Sequence, residues 1–93
     1  MPLVFRVSWG NVTLHGRLLS RSQKRRVSSI IKTRVDEMLP TMEGIPPRTM
    51  IYGSDGINGL EVYFYLSKVT TTGPIFKLVK VQEGPSTDYE FEE

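Results

Sequence analysis

The sequence predicts an α+β domain in which an antiparallel β-sheet of about four to five strands, in the sequence order ββαβββ, carries one amphipathic helix packed on one face. Three observations predict it. Apolar residues alternate with period two on both sides of an early glycine turn, recur at helical spacing between residues 27 and 38, and return to period two after residue 48. Strands grouped before and after a single helix favour an antiparallel sheet with the helix laid against it.

The opening segment reads as a hairpin. Leu3, Phe5, Val7 and Trp9 alternate with Val4, Arg6 and Ser8, and Val12, Leu14, Gly16 and Leu18 alternate with Thr13, His15 and Arg17. Gly10-Asn11 between them has glycine first, as a type II′ turn prefers. That turn would pair Trp9 with Val12, Val7 with Leu14, Phe5 with Gly16 and Leu3 with Leu18.

A helix is expected over residues 21–38. Ser20 and Gln23 have capping-box spacing. Val27, Ile30, Ile31, Val35 and Met38 span one face, and Pro40 stops the run through its effect on Leu39. Residues 40–47, with three prolines and a glycine, read as a loop. Strands are expected at 48–52, 60–67 and 75–81. Leu60, Val62, Phe64 and Leu66 form the inward set of the middle one, and the last leaves two candidate inward sets, Phe76 with Leu78 or Val79 with Val81. The domain is thus expected to span residues 1–81, followed by an acidic, disordered tail over 82–93.

Composition narrows the chemistry. The 93 residues contain no cysteine, which excludes disulfides, thiolate metal sites and cysteine nucleophiles. His15 is the single histidine and has no second histidine with which to share a metal. No grouping places a nucleophile beside a base, so no catalytic residue, metal site or cofactor is expected, and the chain reads as a non-enzyme. No apolar run approaches the ~20 residues of a transmembrane helix. The start, Met1-Pro2-Leu3, has neither a signal-peptide pattern nor a myristoylation glycine, so an intracellular, cytoplasmic or nuclear location is expected.

Charge supplies the functional expectation. Residues 1–35 hold eight basic side chains and no acid, while residues 81–93 hold five acids and no base. Lys24, Arg25 and Arg26 occupy the first turns of the expected helix beside Arg21, and Asp36 and Glu37 its last turn. Both placements oppose the macrodipole, at about 0.3–1 kcal/mol per charge at low salt. A bound anion would relieve the first conflict, since helix N-termini and guanidinium groups both hold phosphate. Arg6, Arg17, Arg21, Lys24, Arg25, Arg26 and Lys32 are therefore the candidate contacts to nucleic acid or another polyanion. Arg34 falls within the apolar arc, and its candidate partners are Glu61 and Glu43.

A different class of function is also open. Tyr63 and Tyr65 share the strand face opposite Leu60, Val62, Phe64 and Leu66, and form a stacking platform or protein hot spot if that face is uncovered. Tyr89 and Phe91 alternate with acids in the tail, as in short binding motifs. The alternative expectation is thus a protein-interaction module, an adaptor or a small inhibitor or accessory protein of a virus or mobile element. It would act through an exposed β edge, the Tyr63/Tyr65 face or the tail, with a protein partner or a homodimer.

Overall fold

A computed structural model describes residues 4–84, the side chain of Glu43 excepted. The chain runs β1 (Arg6–Ser8), β2 (Thr13–Leu14), β3 (Arg17–Leu18), α1 (Arg21–Met38), a 3₁₀ turn (Leu39–Gly44), β4 (Ile51–Ser54), β5 (Leu60–Thr70) and β6 (Gly73–Glu83). It is an α+β fold with one helix, a four-stranded sheet ordered β1-β6-β5-β4 and a separate pair β2-β3.

The N-terminal hairpin is corrected. The Gly10 turn forms, with positive φ at Gly10 and Val12 N–H directed at the Trp9 carbonyl over 3.5 Å. Its arms do not make a ladder. β1 instead lies parallel to β6, with Val7 beside Phe76 and Ser8 beside Lys77, so the sheet is mixed rather than antiparallel. The second arm folds on itself, pairing Thr13 with Leu18 and Leu14 with Arg17. His15 and Gly16 both have positive φ, the requirement of a type I′ turn. The expected pairs Val7–Leu14 and Phe5–Gly16 are therefore absent, and Leu3 lies outside the described residues. Packing outweighs the local alternation here: Phe5 meets Phe76 edge-on at 5.6 Å, and Phe76 meets Phe64 in the same way.

The helix has the expected bounds. Ser20 accepts from Gln23 N–H at 3.2 Å, and Gln23 Oε1 accepts from Ser20 N–H at 2.8 Å, closing the capping box. Val27, Ile30, Ile31 and Val35 are buried with Ile51, Leu60, Val62, Phe64, Phe76, Leu78 and Val81 in one core. Gly53 lets helix and sheet approach closely, since a methyl there would stand 2.9 Å from Ile30 Cγ2. It belongs to β4, which runs past the expected strand end at Tyr52, and Arg48 has left-handed φ ahead of the strand instead of starting it.

The two inward sets considered for the last strand combine. Phe64 pairs with Leu78 and Tyr63 with Lys80, so Val79 is an extra residue in a bulge. The bulge shifts the phase, burying Phe76 and Leu78 before it and Val81 after it, while Val79 stays exposed. β6 continues to Glu83, two residues past the expected end.

Gly73 marks a close approach of two backbone segments. Its φ is +124°, and a Cβ would stand 2.2 Å from the Val4 carbonyl oxygen, in the segment leading into β1. Gly56 has φ +136° but open space around it. In urea denaturation, Gly56→Ala should cost about 1–3 kcal/mol from backbone strain alone. Gly73→Ala should cost measurably more, and equal losses would contradict the close β1–β6 approach.

Candidate nucleic-acid interface

Strand alternation sends every second side chain of the sheet away from the helix. Cross-strand partners arrange those outward residues in four rows. They are Ser54, Glu61 and Gln82; Tyr52, Tyr63 and Lys80; Tyr65, Lys77 and Ser8; and Lys68, Ile75 and Arg6. The small β2-β3 hairpin inserts Leu14 into the helix-side core, so it too lies on the opposite side of the sheet. Among the described residues the outward face therefore remains open, with Tyr63 and Tyr65 on the inner strand β5 and Tyr52 beside them on the edge strand β4.

Tyr63 stands between a second tyrosine and a lysine. The Tyr52 and Tyr63 rings lie 5.2 Å apart at 56°, and Lys80 Nζ lies 5.8 Å from the Tyr63 ring centre. Lys68, Lys77, Lys80 and Arg6 supply four positive charges against one carboxylate, Glu61, which already accepts from Gln82 Nε2 at 2.7 Å. Among the described residues, none of these four cations has a carboxylate within 4.0 Å. Arg6 makes one long contact, 3.5 Å, to the Thr72 hydroxyl. Tyr63 and Tyr65 are legible in the sequence as one face. Tyr52, Lys68, Lys77 and Lys80 do not stand out there, although extending the alternation through Ile51-Tyr52 places Tyr52 with them.

The basic N-terminal half does not form a single patch. Arg6 is on the open face, Arg17 is on β3, and Arg21, Lys24 and Arg25 are exposed at the helix start. Lys24 Nζ sits 5.5 Å from the Trp9 ring centre. Two expected anion contacts are already engaged. Lys32 bonds Asp36 at 2.7 Å, and Arg26 grips Asp55 in the β4–β5 turn through Nε at 2.6 Å and Nη2 at 3.3 Å. Arg34 bonds Glu37 at 3.3 Å and donates to the Tyr52 carbonyl at 3.0 Å. Its partner is thus neither Glu61 nor, as far as the described side chains go, Glu43. Much of the reversed helix charge is therefore answered within the chain. Tyr89 and Phe91 lie outside the described residues.

Asp55 organises the turn. Its Oδ1 accepts Leu60 N–H at 2.8 Å, and Gly59 packs so closely that a methyl would overlap that oxygen. The hydrogen bond from Arg26 holds the Asp55 carboxyl below its ordinary pKa against the opposing effect of partial burial, and Asp55 in turn raises Arg26. His15 bonds Glu83 at 2.6 Å on the surface.

Among the described residues, no three His, Cys, Asp or Glu side chains cluster as a metal site, and no helix is long and apolar enough to cross a membrane. An apolar cavity of about 230 Å³ lies between β5 and the proline-rich loop, lined by Met42, Ile45, Pro46, Ile51 and Leu66 among others. No family model, no curated protein and no solved structure matches this chain.

An aspartate whose folded pKa is depressed contributes stability that is present above its unfolded value, about 3.9, and is lost as pH falls through the folded value. Acid titration of stability should therefore show a loss below about pH 4 that is smaller in Asp55→Asn. At neutral pH, Asp55→Ala should destabilise by about 1–2 kcal/mol, having lost both the Arg26 and Leu60 bonds. An unchanged acid limb in Asp55→Asn would contradict this role.

Proposed function

We propose that this protein is a non-enzymatic binding module that holds single-stranded nucleic acid on the open face of its sheet. The observation that carries the reading is the placement of Tyr52, Tyr63 and Tyr65 among Lys68, Lys77, Lys80 and Arg6. Aromatic rings on an accessible sheet stack with unpaired bases, at about 1–3 kcal/mol per base, and neighbouring cations follow the phosphates. A duplex hides its base faces, so the preference is for single strands. Arg17, Arg21, Lys24 and Arg25 serve as a secondary phosphate contact on the other side, the part left of the helix-start reading once Arg26 and Lys32 are paired. The location that suits this role is intracellular.

A protein-interaction module is the second reading. The apolar cavity beside β5 favours it, because it has room for one side chain of a partner.

Fluorescence anisotropy with short single-stranded RNA and DNA, run across a salt series, tests the reading. Tyr63→Leu with Lys80→Ala should weaken binding about tenfold or more. Arg21→Ala with Arg25→Ala should weaken it less and mainly flatten the salt dependence. The reverse order would move the site to the helix start. No binding by the wild-type chain at low salt would favour the protein-partner reading.

A further inference from the structure

The open face and the C-terminal residues are complementary in charge, and the fold delivers them to one place. β6 ends at Glu83, and Gly84 N–H donates to the Gly59 carbonyl at 2.8 Å. A methyl at Gly84 would meet the Glu61 carboxylate at 2.8 Å and the Ile57 carbonyl oxygen at 3.2 Å. The chain therefore leaves the sheet against the outward row containing Glu61. It leaves beside a shallow hollow of about 490 Å³ lined by Tyr52, Ser54, Gly56, Ile57 and Glu61. Ile57 is 83% exposed and Tyr52 44%, so the hollow offers apolar surface to water.

The residues beyond Gly84 suit that surface in composition. Residues 85–93 contain Asp88, Glu90, Glu92 and Glu93, together with Tyr89 and Phe91, and no basic side chain. Opposite them stand Lys80, Lys77, Lys68 and Arg6, four cations without a described carboxylate partner. Reach is sufficient. Successive outward rows are about 7 Å apart along a strand, and nine residues span up to about 30 Å. A segment turning back at Gly84-Pro85 can thus cover the rows from Lys80 to Lys68.

We infer that residues 85–93 bind in cis along the open face of the sheet, with their carboxylates on Lys80, Lys77 and Lys68 and their aromatic rings on Tyr52 and Ile57, and that a polyanion must displace them. The regulatory half of this inference rests on the polynucleotide reading, whereas the docking itself does not. Charge complementarity favours this segment over a second copy of the chain, whose open face would present like charges to like. The docked state should weaken with salt, because it depends on partly exposed ion pairs.

These 93 residues contain no cysteine, so Glu93→Cys in the whole 93-residue chain takes one nitroxide label and leaves three acids in residues 85–93. Without nucleic acid, paramagnetic broadening should be strong at the amides of Tyr63, Tyr65, Lys77 and Lys80 and weak at those of Arg25 and Lys32 on the far side. The contrast should vanish in about 1 M salt, where screening acts beyond about 3 Å. It should also vanish when Asp88→Asn, Glu90→Gln and Glu92→Gln are added. Broadening confined to the neighbours of Gly84, or equal on both sides of the sheet, would overturn the docking. The same neutral-tail variant, unlabelled, should bind single-stranded RNA several-fold more tightly than wild type. Equal affinity would overturn the competition. A chain that shows the broadening but binds no RNA in either form keeps the docking and removes the polynucleotide reading.

Discussion

One helix can bury only one face of a four-stranded sheet, and the rest of this structure depends on that limit. Val27, Ile30, Ile31 and Val35 cover the inward residues of β4, β5 and β6, and Gly53 allows the backbones to come close. The hairpin β2-β3 adds Leu14 on the same side. Among the described residues, no second layer covers the outward side chains. A face serving only solubility would be filled with polar and charged groups, whereas this one carries three tyrosines on β4 and β5 and four cations on β5, β6 and β1.

The same division sorts the charges. The basic run of residues 1–35 is continuous in sequence but dispersed in space. Arg26 is committed to Asp55 and fixes the β4–β5 turn, Lys32 answers Asp36, and Arg34 both answers Glu37 and closes an open carbonyl of the edge strand β4. Such edge groups are otherwise free to pair with another chain. Meanwhile Lys68, Lys77 and Lys80, which lie in a stretch of near-zero net charge, are brought beside Arg6 by the parallel β1–β6 pairing. A local charge count reads runs along the chain. A sheet instead gathers residues from different strands.

The legible parts of the fold are those set by neighbours in sequence. The Ser20–Gln23 capping box and the spacing of Val27, Ile30, Ile31 and Val35 locate the helix at both ends, and the alternation of Leu60, Val62, Phe64 and Leu66 gives β5 its inward face. The parallel partner of β1 is not legible, because alternation says which side a residue faces and nothing about which strand lies beside it. His15 is misplaced by sequence for a different reason. Positive φ is uncommon for any non-glycine residue and His-Gly is not among the usual hairpin dipeptides, so His15-Gly16 does not announce a turn, and the segment's alternation continues through it. The two readings of β6 cannot be separated from sequence because each holds for half the strand, on either side of the bulge at Val79. Of the candidate site, Tyr63, Tyr65 and Arg6 are named from sequence. Tyr52 and the three lysines depend on the register.

The open sheet face, not the helix start, is on this account the surface that meets a ligand. Chemical-shift mapping tests that claim most directly, by titrating a short single-stranded oligonucleotide into the isotope-labelled protein and following each amide. The account predicts the largest changes at Tyr52, Tyr63, Tyr65, Lys77 and Lys80, with small changes at Arg21, Lys24 and Arg25. Changes concentrated at Arg21, Lys24 and Arg25, with the sheet residues unmoved, would contradict it.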